Sequence, residues 1–295
     1  MPKISASIEV SPKQALEKSD LEGLFPPGTR VYLTDIGTEP LDRMVAAAKR
    51  MTDFGYRPVP HFAARRMASR SLFEDRVKRS ADEAGVTDVL VIGGGVEKPV
   101  GEFSSAMDMI ATGIFDRNGI RDIAVAGHPE GSQDFSEDMA IAALKLKQDF
   151  AKRSGADLRV VTQFGFDAAK FIAWAEGLAS FGISLPVHIG VSGPAKITTL
   201  IKYAAMCGVG NSLAYLRKNA LSLTTLATGH SPESVVGPIE THWAMHPTGP
   251  IRQIHVFPFG GLEKSAQWLN ARGTWQASAE QVPADLHSAT GTLAR

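Results

Sequence analysis

The feature that most constrains this chain is a repeat. Short apolar runs are each followed by a polar or glycine-containing loop and then by a segment with apolar residues three or four apart. Strand-length runs fall at residues 4–10, 30–34, 57–62, 89–93, 122–126, 158–164, 187–191 and 254–257. Helical spacing covers 41–54, 71–84, 105–118, 138–153, 168–181, 196–207 and 213–226. In 168–181, for example, Phe171, Trp174, Ala175 and Leu178 line one side, and Gly182 supplies the stop. Eight strands alternating with helices predict an α/β chain folded as one (β/α)8 TIM barrel, in preference to a doubly wound sheet.

Two regions fit this rhythm less well. Residues 229–250 carry His230, His242 and His246 among several prolines and glycines, which predicts a long loop or broken helix. After Gly273 the chain turns polar, so the barrel is expected over 1–273 and a fraying tail over 274–295. His242 and His246 lack a recognisable third ligand and an HExxH pattern, so no metal is expected.

Composition narrows the class. A formal net charge of +0 argues against an extended nucleic-acid surface. No run of about 18 apolar residues is present to span a membrane, and Met1–Ser5 is followed by no apolar signal core. The lone Cys207 rules out an internal disulfide and a CxxC knuckle. A cytoplasmic address in a reducing compartment is expected.

Chemistry is expected at the C-terminal ends of the strands, where barrel loops carry function. The run Leu158-Arg159-Val160-Val161-Thr162-Gln163-Phe164 ends on an amide. Alternation places Val161 and Gln163 on one face and Val160, Thr162 and Phe164 on the other, so Gln163 can point inward as a two-sided hydrogen-bonding group. The competing role is to cap the next helix or satisfy a loop carbonyl. Asp167 reads as the helix cap before Ala168. In the first run, Ile4, Ala6, Ile8 and Val10 form an apolar face, and Ser5, Ser7 and Glu9 a polar one. An inward Glu9 is costly to bury without a purpose, and burial pushes a carboxyl toward the pKa of a useful general acid. A salt-bridged carboxylate at the strand end is the alternative. Gly93-Gly94-Gly95 lets a phosphate or ring approach the backbone, but it lacks the spacing of a dinucleotide fingerprint.

Gly155-Ala156-Asp157, Val161-Thr162-Gln163-Phe164 and Phe166-Asp167 together resemble a motif of the methylenetetrahydrofolate reductase family, whose glutamine binds the folate pterin. Weaker likeness runs from about Ser7 to about Leu269. Ser7-Ile8-Glu9-Val10-Ser11-Pro12 is similar to the family's start, whose glutamate supplies the proton that opens the folate ring. The resemblance implies a folate reductase with Glu9 as general acid and Gln163 on the pterin. It places Tyr203 on the aminobenzoate and Phe259 against nicotinamide or folate, with packing in the core as the alternative for each aromatic ring. Thr34, His61, Gly94, Gly95 and His128 are placed around the cofactor.

The chain departs from the family pattern in three places. Gly93-Gly94-Gly95 stands where the family has Arg-Gly-Asp, and His128-Pro129-Glu130 where it has Tyr-Pro-Glu. The Leu-Lys-x-Lys that helps hold flavin phosphates becomes Leu146-Lys147-Gln148-Asp149. The implied hydride source is NADH or NADPH, acting through FAD or directly, as in short members held to work without flavin. The implied partner is a tetrahydrofolate derivative, with no nucleic acid or membrane, and self-assembly is left open. The competing functions are a folate-binding protein without hydride chemistry and a pterin-dependent methyltransferase on the same barrel.

Overall fold

The computed structural model describes residues 2–275 except 38, 133, 208, 210–211, 213–215 and 217–230. His230, almost all of the helix expected at 213–226, and residues 276–295 lie outside the described residues.

Eight parallel strands close into a barrel in sequence order. They are β1 Ala6–Val10, β2 Arg30–Leu33, β3 Arg57–Ala63, β4 Asp88–Ile92, β5 Asp122–Gly127, β6 Asp157–Phe164, β7 Val187–Ser192 and β8 Ile251–Phe257. Closure is made by β8 on β1, which pairs Ala6 with Ile254 and Ser7 with His255. The helices are α1 Pro12–Glu17, α2 Leu41–Asp53, α3 Arg70–Ala84, α4 Ala106–Ile110, α5 Ile114–Arg117, α6 Glu137–Ser154, α7 Ala168–Gly177, α8 Ile197–Met206, α9 Glu233–Met245 and α10 Leu262–Ala271. No helix among the described residues is long and apolar enough to cross a membrane.

The two faces of each strand meet different surroundings, and this decides where chemistry can sit. Ile4, Ala6, Ile8 and Val10 join the main core with Ala47, Ala48 and Met51 of α2. The other parity forms the lumen, where Tyr32, Val59, Leu90, Ala124 and Val161 pack as a separate cluster. The polar face of β1 is therefore the lumen face. A barrel interior filled by side chains carries its functional groups on the layer nearest the C-terminal ends.

Three expectations change. The single helix expected at 105–118 is two short ones, broken at Gly113, whose φ of 68° no β-branched or bulky residue adopts without strain. The region expected as a loop or broken helix contains α9, a continuous 13-residue helix with Pro238 inside it. Proline removes one backbone donor and crowds the preceding turn. Burial of Val235, Val236 and Ile239 offsets that cost. The barrel's packing also passes residue 273, because Thr274 and Trp275 are buried and Trp275 sits 5.3 Å from the Phe25 ring. Asp167 does cap α7, accepting from the Lys170 amide at 3.1 Å.

Candidate active site

Glu9 is the fourth residue of β1 and reaches the lumen near its C-terminal end. Two imidazoles flank its Oε1, His255 Nε2 of β8 at 3.4 Å and His61 Nε2 of β3 at 3.6 Å. His255 is fully buried, and its Nδ1 shares a 2.9 Å hydrogen bond with Ser7 Oγ. A hydroxyl proton donated to Nδ1 leaves the ring proton on Nε2, aimed at Glu9. The Tyr32 ring, 4.4 Å away, packs against the imidazole.

His61 is held differently. Burial pulls its pKa below the ordinary histidine value, against the attraction of Glu9. Its Nε2 is buried without a hydrogen-bond partner among the described residues. Arg76 of α3 donates to the His61 carbonyl at 2.6 Å and to Asp35 Oδ2 at 2.6 Å, tying the rim of β3 to the loop after β2. Thr34 continues the ladder beyond β2, donating its amide to the Val10 carbonyl at 3.2 Å, one residue from Glu9.

Gln163 is presented by an irregularity in the sheet. The β6–β7 register shifts between Val161 and Phe164, and such a bulge re-aims a side chain near a site. Close approach makes this possible, because a β-carbon on Gly190 would lie 2.4 Å from the Thr162 carbonyl oxygen and 2.5 Å from that of Gln163. The Gly190 amide donates instead to Thr162 Oγ1 at 2.8 Å. The Gln163 Nε2 donates to the Gly131 carbonyl at 3.5 Å, while its Oε1 is buried with no partner among the described residues. A buried acceptor left unmet costs on the order of 1–3 kcal/mol, so this oxygen would gain from a donor.

Aromatic rings line the next sector. Tyr203 and Phe259 stack at 4.3 Å and 18°, and Phe257 lies beside Phe259 at 5.7 Å and edge-on to His255 at 4.8 Å. The two residues expected to contact ligand thus form one wall that continues to the Glu9 group. Phe164 also meets Phe259 edge-on at 4.7 Å, so this wall is packed against the small core of Phe164, Phe166 and Leu200.

The residues expected around a cofactor divide. The Gly93-Gly94-Gly95 run after β4 carries no carboxylate of its own, and Arg66 lies over it, donating from Nε to the Gly94 carbonyl at 2.7 Å. A β-carbon on Gly94 would meet Ala63 Cβ at 3.3 Å and Arg66 Cγ at 3.5 Å. Gly95 follows it in the left-handed region, at φ 58°. The cation at this loop therefore comes from the exit of β3, which sequence reading did not anticipate. His128 follows β5, edge-on to Phe135 at 4.9 Å, and lines a recess of about 500 Å³ with Leu144 and Trp174. Burial, helped by the charge of Lys147, lowers the His128 pKa to about 4. Lys147 is itself buried on α6, with its pKa lowered to about 8 by burial and no ion-pair partner among the described residues.

His255 is the neighbour of Glu9 that the sequence alone did not reveal. Its signal was available in its parity with Phe257 on an inward strand face. His242 and His246 stack on each other at 4.1 Å, and His242 pairs with Glu176 at 2.8 Å.

Comparison with known proteins places this geometry. A family model described as methylenetetrahydrofolate reductase matches residues 31–212, more than half the chain. Methylenetetrahydrofolate reductase 1 of Schizosaccharomyces pombe is 32% identical over 165 residues, which cover 54% of this chain and 26% of that protein. The chain thus matches about a quarter of that relative's length. Among solved structures, a Clostridium thermocellum protein that binds two copies of 5-methyl-5,6,7,8-tetrahydrofolic acid superposes with a TM-score of 0.56 at 11% identity, covering 93% of this chain and 96% of that one. Dihydropteroate synthase from Thermus thermophilus gives a TM-score of 0.44 at 12% identity, over 93% and 94% of the two chains. With the fold, the matched span and the identity of the relative taken together, this chain belongs to the methylenetetrahydrofolate reductase family.

Proposed function

We propose that the chain catalyses NADH- or NADPH-dependent reduction of 5,10-methylenetetrahydrofolate to 5-methyltetrahydrofolate, or the same reaction in reverse. The observation that carries this reading is the lumen carboxylate of Glu9, set between His255 and His61 on the rim that also presents Gln163. Glu9 donates its proton to the folate nitrogen that leaves as the bridging ring opens, and that carbon–nitrogen bond breaks. The methylene carbon, now part of an iminium, accepts the two electrons and hydrogen of the nicotinamide. The products are the methyl folate and the oxidised coenzyme. Gln163 holds the pterin through its unmet acceptor, and the Tyr203–Phe259 wall holds the aminobenzoate.

The family also implies FAD. The residues here do not fit it in the family's manner. Glycines stand at 93–95 where the family has Arg-Gly-Asp, Arg66 occupies the space over Gly94, and Lys147 is turned into the protein. No step is therefore routed through flavin, and both reacting rings must share one pocket at about 3–3.5 Å.

The test is turnover by the purified protein. A colourless preparation that oxidises NADH or NADPH only when methylene folate is present supports the reading. Glu9→Gln should lower kcat by about 10²–10⁴. Reduction at an unchanged rate in that variant sinks the assignment of the acid. Folate binding without nicotinamide oxidation identifies a binding protein, and methyl transfer without it identifies a methyltransferase.

A further inference from the structure

The opposite mouth of the barrel is built from charge. Strands β2, β3, β4 and β5 begin at Arg30, Arg57, Asp88 and Asp122, and Arg159 lies two residues into β6. Asp88 is wholly buried. Its Oδ1 accepts from Arg159 at 2.6 Å, and its Oδ2 accepts from Arg30 at 2.9 Å and lies 3.4 Å from Arg57 Nε. Arg57 also donates to Asp122 at 2.5 Å. Three guanidiniums thus share two carboxylates, which leaves a positive charge in excess. Uncompensated charge at a partly buried position is costly.

Beside this network opens a recess of about 560 Å³, walled by Arg30, Arg159, Arg252 and Lys152 against Asp122 and Asp157. Lys152 has no hydrogen-bond or ion-pair partner among the described residues, and Arg252 reaches only the backbone carbonyls of Pro247 and Thr248. The inner wall is His188, 5% exposed, with Nδ1 buried and unpartnered among the described residues. Burial and the nearby guanidiniums keep that ring neutral, so it can both donate and accept. Gln253, its register partner on β8, leaves Oε1 buried and unpaired in the same way. Buried polar atoms are seldom left unmet, and the one on His188, in the wall of a cationic recess, marks a place for a polar solute.

We propose that this recess binds a phosphate group, free or as a phosphomonoester, gripped by Arg30, Arg252 and Lys152 with His188 closing the inner wall. Guanidiniums match the oxygens of a tetrahedral anion with paired donors. Hydrogen phosphate also carries an O–H that an unpaired acceptor can receive, which a carboxylate lacks at neutral pH. The site lies at the end of the barrel away from Glu9, so it is independent of the folate chemistry.

The experiment uses the whole chain. Thermal unfolding and calorimetric titration are run with sodium phosphate, with ribose 5-phosphate, and with sodium acetate and sodium chloride at matched ionic strength. Phosphate should bind saturably and raise the unfolding midpoint beyond the chloride control. The exposed pair Arg252→Glu with Lys152→Glu should weaken binding at least tenfold, and so should His188→Phe, while Glu9→Gln leaves it unchanged. Tighter binding of ribose 5-phosphate would identify a phosphomonoester, and equal binding the free anion; both support the site. Equal effects of acetate or chloride, absence of saturable binding, or binding retained in the charge-reversed protein would overturn it.

Discussion

Glu9 depends on groups that are far from it in sequence. Period-two alternation was enough to turn it inward, because β1 has one apolar face and the main core claims that face. What alternation could not supply is the partner. His255 is 246 residues away and meets Glu9 only because β8 closes the barrel onto β1. If its Nε2–H orients the carboxyl, His255→Gln should lower kcat about tenfold, close to the 1.4 kcal/mol of one lost hydrogen bond, with the folate KM within about a factor of two. His255→Phe, which keeps the ring volume and removes both nitrogens, should lower kcat further. Steady-state kinetics on the two variants decide the matter: an equal, small effect from both would reduce His255 to packing. Gln163 was legible on the same grounds as Glu9, whereas its unmet Oε1 was not, since satisfaction of an amide depends on neighbours that no motif lists.

Among the elements, the β6–β7 irregularity and α6 carry separate consequences. A methyl at Gly190 would overlap two carbonyl oxygens of β6, so Gly190→Ala must push the strands apart where Gln163 is aimed. Overpacking of this kind costs typically 1–3 kcal/mol. The variant should lose folate affinity more than nicotinamide affinity, measured by separate titrations, and equal losses would mean general damage. On α6, Lys147 holds a charge that burial disfavours, with its pKa at about 8. Its folded pKa lies below the unfolded value of about 10.4, so the buried charge destabilises the fold in full below about pH 8, and the penalty is relieved only as the pH rises from there toward 10.4. Lys147→Met should therefore stabilise the free protein at pH 7 by roughly 1–3 kcal/mol, and a lower unfolding midpoint would show that Lys147 has a partner that matters. Element boundaries were legible where one periodicity ran unbroken, as in α3 and α6. They failed at Gly113 and in α9, because one turn's backbone angle and the burial of three apolar side chains outweighed the local signals of composition.

At the scale of the molecule, the eightfold alternation announced the barrel, yet it said nothing of how the lumen would be filled. Imidazoles buried in the lumen and in the recess after β5 make the fold sensitive to acid. His61, His128 and His188 all have pKa values held below the ordinary histidine value, in each case first by burial, and His128 lies near 4. Unfolding exposes all three at about pKa 6.5, so between that value and their folded ones the unfolded chain binds more protons than the native barrel. Stability contributed by neutral burial is then complete above pH 6.5 and falls as the pH drops below it. Each histidine adds a slope of at most about 1.4 kcal/mol per pH unit until its folded pKa is reached. Denaturant midpoints measured at pH 7, 6 and 5 should fall progressively, and His188→Phe should flatten the curve by close to one histidine's share. A midpoint that does not move over that range, or one that moves equally in the His188 variant, would mean that these imidazoles take up protons in the folded barrel and that their burial is not what the lumen is organised to protect.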